Sequence, residues 1–311
     1  MDGTERLGVL CIELPWTRTS AEAMLALADL VGLLLVSKRN HSDSYARLTR
    51  RQPMTIAAEM QWSLMPPTTF SNRQVTIGAM MEPAYQSVGD AFDYAEAGDV
   101  AHLAIFDAMG HDTAAGLTAN LAVAACRSRR RRNGTLQEAA ATIEQALGEQ
   151  FAQTRYATGI LADLNTATGE LTWLNCGHHP PVLTRNGRPL NLDCPPAAPL
   201  GTGLGIEPVL CRDQLEEDDR FLLYTDGITE ARDASSQEFG LDRFTDFVIR
   251  HQADGLPVPE TRRRLVHAVL DYHRGALQDD ATVVFCEWHG TAYRRLQDPG
   301  PDDPGVMENA C

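Results

Sequence analysis

Four aspartate blocks, far apart along the chain, carry residue types that could hold a metal: Val88-Gly89-Asp90, Ile105-Phe106-Asp107-Ala108-Met109-Gly110, Tyr224-Thr225-Asp226-Gly227 and Gln278-Asp279-Asp280-Ala281-Thr282. In each, the carboxylate stands beside glycine or at the boundary of an apolar run. A strand that ends in Asp-Gly delivers a hard oxygen ligand at a sheet edge, and several such ends brought together suit a hard divalent cation. Clustered carboxylates repel one another unless a cation neutralises them. A single Asp-Gly after a strand is commonly only a turn, so the weight rests on the set of four.

The elements that must position these groups are short strand-like runs from about Val75 onward: VTIGAMM, HLAIFD, TGILADL, LTWLNCG, PVLTR, FLLYTDG and ATVVFCEW. Helical patterns interrupt them at 113–131 and 136–153, and two more follow at 241–250 and 260–277. Strands far outnumber βαβ alternations, which favours an antiparallel α+β architecture over a doubly wound parallel sheet. Asn186-Gly187, between PVLTR and RPLNL, is a hairpin signal.

Ahead of this region, Leu7 to Leu14 reads as a buried strand closed by Pro15. Thr19 and Glu22 form a capping-box pattern in front of a long apolar-periodic helix. A second helix over 53–64 is stopped by Pro66-Pro67 and reads as a connector. The expected organisation is therefore residues 1–51 as strand plus long helix, 52–67 as connector, 68–290 as the main domain, and 291–311 as a disordered Pro, Gly and acid-rich tail.

The chain has 311 residues, 43% of them hydrophobic, enough for one large core. Its formal charge of −15, with 42 acids against 27 bases, argues against a nucleic-acid partner. The seven cysteines show no CxxC pair or regular spacing, so neither a zinc knuckle nor a disulfide framework is indicated. Leu25 to Val36 is too short to span a bilayer, and no basic-then-apolar leader opens the chain, so no membrane association and a cytoplasmic location are expected.

The order and flanks of the aspartate blocks resemble the type 2C (PPM) metal-dependent serine/threonine protein phosphatases, in their bacterial sporulation stage II E branch. The likeness runs from about Met60 to Trp288. It rests on Gly89-Asp90-Ala91-Phe92-Asp93, Asp107-Ala108-Met109-Gly110-His111, the segment Asn175 to Pro181, Leu223 to Ala231, and Asp279-Asp280-Ala281-Thr282-Val283-Val284, all in the family's order. The resemblance implies a four-layer αββα sandwich of two antiparallel sheets flanked by helices. It implies two Mn²⁺ or Mg²⁺ ions, with Asp107 bridging both, Asp226 and Asp279 completing one, and Asp90 with the Ala108 carbonyl serving the other. A water activated by the ions would attack phosphorus, and no side chain would be phosphorylated.

Between Asp279 and Asp280 the first is preferred, because the family's ligand sits three places before the threonine and period-two alternation aims its neighbour away. Asp93 is expected either to support the site from behind or to cap a turn, and Gly227 to support it. His111 could donate a proton to the leaving oxygen, or serve only as part of a turn and cap. His178 and His179 read as structural, and Arg127 with Arg129 to Arg132 as a solvated helix end. Two departures stand out. Val88 replaces a family glycine, and Asp112 replaces the glycine after the histidine, which suggests backbone strain and extra negative charge near the ions.

The implied substrate is a phosphorylated anti-anti-sigma factor of the STAS type, within a partner-switching circuit. The alternative is a catalytically weak or inactive module that binds a phosphoprotein without turning it over. The opening strand and helix resemble the end of a GAF sensory domain, which makes the connector a candidate lever on the site and the first helices a candidate homodimer surface.

Overall fold

The structure is a computed structural model that describes residues 10–11, 18–39, 42–49, 53–82, 89–110, 112–272 and 279–290. Helices α1 (Arg18–Arg39), α2 (Asp43–Thr49) and α3 (Ile56–Leu64) come first, followed by strands β1 (Thr69–Ser71), β2 (Val75–Glu82), β3 (Asp90–Ala97) and β4 (Val100–Ala108). Two helices, α4 (Thr113–Arg130) and α5 (Leu136–Phe151), lead into β5 (Ala157–Asn165), β6 (Glu170–Cys176), β7 (Val182–Arg185), β8 (Arg188–Asn191), β9 (Cys211–Gln214) and β10 (Arg220–Tyr224). The short α6 (Asp226–Thr229), then α7 (Leu241–Ala253) and α8 (Val258–Tyr272), precede the last strand, β11 (Ala281–Trp288).

The strands form two antiparallel sheets, ordered β1-β2-β11-β10-β7-β8 and β3-β4-β5-β6-β9. Alternate side chains of the six-stranded sheet serve different cores, as the period of two requires. Ile77, Ala79, Met81, Phe221, Leu223, Val284 and Cys286 face the five-stranded sheet, in a core that also takes in α4 and α5. Met80, Leu222, Tyr224, Val283 and Phe285 face the other way, onto Ile228, Phe244, Val248, Leu265 and Val269 of α6, α7 and α8. Two sheets with helices outside each give the expected αββα sandwich.

Antiparallel pairing gathers the aspartate blocks at one end. The end of β4 lies beside the start of β3, with Asp107 opposite Asp90, and the end of β10 lies beside the start of β11, with Tyr224 opposite Val283. The hairpin signal is met: Asn186 and Gly187 both have positive φ, 49° and 74°, between Arg185 and Arg188.

Several expectations are corrected. Leu10 and Cys11 are exposed and carry no strand, and the rest of 7–14 lies outside the described residues. Helix α1 begins at Arg18, so Thr19 sits inside the helix instead of capping it. The connector starts at Ile56, where Thr55 Oγ1 accepts from the Ala58 N–H, and the last helix is described only to Tyr272. Cys194 and Cys211 form a disulfide, Cα to Cα 5.9 Å, that closes the long β8–β9 loop. Sequence spacing missed this pair because sheet pairing of β9 with β6, not the spacing of the cysteines, sets their approach. The tail from 291 lies outside the described residues.

Candidate metal centre

Asp90 opens β3 and is almost fully buried, and its carboxylate faces that of Asp107 across the β3–β4 ladder. Like charges placed directly opposite in a sheet are destabilising. Burial first, then Asp107 and Asp280, hold the Asp90 carboxyl well above the usual carboxylate range, and the Thr225 hydroxyl pulls it partly back. Thr225 stands before the α6 helix but does not cap it. Its Oγ1 donates to Asp90 Oδ2 at 2.7 Å and accepts from the Thr282 N–H at 2.9 Å, which ties β10, β11 and β3 together at the site.

Asp107 is pushed up to about 7, by burial first and then by Asp226, Asp279 and Asp280. It stands opposite Asp90 in the β3–β4 ladder and within reach of the charges of Asp226, Asp279 and Asp280. Asp279 and Asp280 differ in burial, but Asp280 is not aimed away as alternation would have it, since its charge acts on both Asp90 and Asp107. Asp280 is buried and accepts from the Gly89 N–H, whereas Asp279 is exposed at the mouth, its Oδ1 accepting from the Asp280 N–H at 2.9 Å.

Two glycines permit this convergence. A Cβ at Gly227 would lie 1.8 Å from the Asp280 carbonyl oxygen, and one at Gly89 would lie 2.6 Å from the Ala108 and Gly110 carbonyls. Gly227 is therefore required for close approach of α6 to β11, a packing reason for the supporting place expected of it. Ala108 donates its N–H to Gly89 O at 2.9 Å.

The donor set fits divalent ions: hard oxygens only, and paired negative charges whose burial is costly without a cation. The cluster is open, because among the described residues no three of these carboxylates offer ligand atoms all within 4.8 Å of one another. The strand ends thus bring the carboxylates to one end of the sandwich without closing a three-carboxylate coordination sphere.

Two residues are differently placed from the expectation. Asp93 points to the other face of β3, where Arg127 and Arg130 of α4 bind it at 2.7 Å each, so it neither supports the site nor caps a turn. Arg127 and Arg130 are accordingly partners of a buried acid, and Arg129 pairs with Glu138. Asp112 has φ −99°, an extended conformation without left-handed strain. It caps α4 through Ala115 N–H, and Arg155 holds its carboxyl below the usual range, so its charge is paired. The left-handed position is Gly110, φ 91°. Val88 and His111 lie outside the described residues.

Sequence reading missed Gln61. This buried side chain of α3 donates its amide to the Asp90 carbonyl, so the connector touches the site directly. A polar residue set between Met60 and Trp62 was the available signal. His178 is buried, bonded to Thr158 Oγ1 at 2.8 Å and to the Tyr224 carbonyl at 3.0 Å. Exposed His179 stacks on Tyr224.

Comparison with known proteins bears on the fold. The chain superposes on the RsbU and RsbW domains of Rv1364c from Mycobacterium tuberculosis with a TM-score of 0.59 at 23% identity, over 72% of this chain and 62% of that one. It therefore spans less than two thirds of that structure's length. The SiaA-PP2C domain of Pseudomonas aeruginosa matches with a TM-score of 0.62 at 19% identity, over 74% of this chain and 94% of that domain. The catalytic domain of the serine/threonine phosphatase PstP, solved with 2 manganese ions, matches with a TM-score of 0.50 at 19% identity, over 69% of this chain and 98% of that one. These likenesses give the PP2C fold. Residues 97–289, more than half of the chain and inclusive of Asp107, Asp226 and Asp279, match the model of the stage II sporulation protein E family, and the chain belongs to that family.

Proposed function

We propose that this protein is a metal-dependent phosphatase that hydrolyses a phosphoserine or phosphothreonine of a partner protein. The observation that carries the reading is the gathering of the aspartate-bearing strand ends, with Asp107 opposite Asp90 across the β3–β4 ladder and the end of β10 beside the start of β11. Asp107, Asp226 and Asp279 would hold one ion, and Asp107, Asp90 and the Ala108 carbonyl the other. When bound, such a pair neutralises phosphoryl oxygens and makes a nearby water acidic enough to serve as nucleophile at neutral pH. The chain's own part is positional. Thr225 fixes the Asp90 carboxylate, Asp280 fixes Gly89, and Gly227 lets α6 lie on β11.

For the substrate we propose a phosphorylated STAS-type anti-anti-sigma factor. Membership of the sporulation stage II E family and likeness to a chain that carries RsbU and RsbW domains support it. The same reading makes α3 a lever, since Gln61 joins it to the Asp90 backbone.

Manganese-dependent hydrolysis of p-nitrophenyl phosphate tests the activity. The expected result is turnover that needs Mn²⁺ or Mg²⁺ and falls at least ~10³-fold in Asp107→Asn and Asp226→Asn, in line with loss of electrostatic stabilisation at the reacting centre. Absence of turnover with any divalent ion, alongside intact binding of a phosphoprotein, would instead establish a binding module.

A further inference from the structure

A second cluster of metal-ligating side chains lies at the other end of β11. Asp218, Glu287 and His289 present ligand atoms that all lie within 4.8 Å of one another, the only such group among the described residues. Asp279 and Asp280 precede the first residue of β11 and this trio stands at its last, so roughly 25 Å of extended strand separates the two places. Their chemistry differs too, because the trio contains an imidazole and the aspartate cluster does not.

Each of the three is held from outside the cluster. His289 Nε2 lies 2.8 Å from Thr76 Oγ1, which lies 2.8 Å from Ser71 Oγ, while His289 Nδ1 is 3.6 Å from Glu287 Oε1. A distance of 3.6 Å is too long for a hydrogen bond. The Thr76 contact engages Nε2 and leaves Nδ1 as the ring nitrogen on the glutamate side. Two ligands of one tetrahedral zinc ion, at bonds of ~2.0–2.2 Å, stand about 3.4 Å apart. An outer partner on the far ring nitrogen is the usual companion of a metal-binding histidine.

Glu287 lies in β11 and His289 just past its end, two residues on. The other glutamate oxygen, Oε2, accepts from Arg220 Nε, and buried Arg220 is itself bound to the Leu256 carbonyl and Thr261 Oγ1. Asp218 adopts φ 66° in the turn before β10, with its N–H on the Trp288 carbonyl at 2.8 Å and its own carbonyl accepting from Gln252 at 2.7 Å. One imidazole and two carboxylates, offset by one arginine, leave a net charge of −1 for an incoming dication.

We propose that Asp218, Glu287 and His289 form a zinc-type site, distinct from the aspartate cluster, that clamps the turn before β10 to the end of β11. Imidazole with two carboxylates prefers zinc or a similar late transition ion, whereas the all-oxygen aspartate cluster suits Mg²⁺ or Mn²⁺. The fourth coordination position opens to solvent, since Asp218 is exposed.

The test uses the full chain carrying Asp107→Asn and Asp226→Asn, which disables the aspartate cluster, titrated with Zn²⁺ against a chromophoric chelator. The expected result is binding that weakens at least tenfold in His289→Ala and in Asp218→Asn, while the same two changes made in the otherwise unaltered chain leave Mn²⁺-dependent turnover as it was. The ¹⁵N shifts of His289 give an independent reading that needs no change at the trio: Zn²⁺ should move Nδ1 and not Nε2. Zinc affinity indifferent to both substitutions, or coordination through Nε2, would overturn the site.

Discussion

Asp107 pairs function with instability. Its carboxyl is held at about 7 by burial and by Asp226, Asp279 and Asp280, so in the ion-free protein the charged form is costly. Asp107→Asn removes that repulsion at nearly constant volume. We expect it to stabilise the EDTA-treated protein by about 1–3 kcal/mol at pH 8, on the scale of 1.36 kcal/mol per unit of pKa displacement. It should also cancel the gain in Tm that Mn²⁺ gives the unaltered chain. Thermal unfolding with and without the ion measures both.

His178 has the opposite sign. Burial first, then neighbouring His179, lowers it to about 4 against an ordinary 6.5, and the bond to the Tyr224 carbonyl pulls only weakly upward. The unfolded chain therefore takes up this proton first. Stability from this group is complete above pH 6.5 and is lost as pH falls from 6.5 towards 4, on the order of 3 kcal/mol in all. Urea unfolding across that window should show the loss, and His178→Gln should flatten it. At this scale the sequence was informative about which acids converge, because their type and flanks are local. It misplaced Asp93, expected at the site or in a turn, because its partners Arg127 and Arg130 lie 34 and 37 residues away on a helix. Removing that buried acid leaves two half-buried arginines unpaired, so Asp93→Ala should cost about 3 kcal/mol, read from denaturant midpoints.

Among the elements, α3 links the segment before the sandwich to the site. Gln61 is wholly buried and its amide satisfies the Asp90 carbonyl, at the first residue of the strand that presents the carboxylate. Gln61→Ala should destabilise the protein by about 1–3 kcal/mol, the cost of an unsatisfied buried group, and weaken Mn²⁺ dependence measured as the half-saturating ion concentration. A chain beginning at residue 66 lacks the same contact, and normal turnover in it would count against α3 as a lever. Strands that form continuous apolar runs were legible, as were the long helices. Strand β3 was not read as a strand, since Asp90, Asp93 and Glu96 break the apolar run that marks a strand covered on both faces. Helix α6 was equally hidden, being four residues that follow an Asp-Gly turn signal.

For the whole molecule, sheet topology does what no single motif can. Two antiparallel sheets, each with helices outside it, bring strand junctions from residues 90, 107, 226 and 279 to one end. The order of those junctions in the sequence was readable, and so was the layer count through the family resemblance. The disulfide between Cys194 and Cys211 and the histidine trio at the far end of β11 were not, because both depend on which strand edges meet. The central claim is that the four aspartates jointly hold two divalent ions. Its most direct measurement is anomalous scattering from crystals of the protein grown with Mn²⁺. The account requires two peaks about 3.5–4 Å apart, with Asp107 touching both. No peak among Asp90, Asp107, Asp226 and Asp279, or a peak that excludes Asp107, would contradict it.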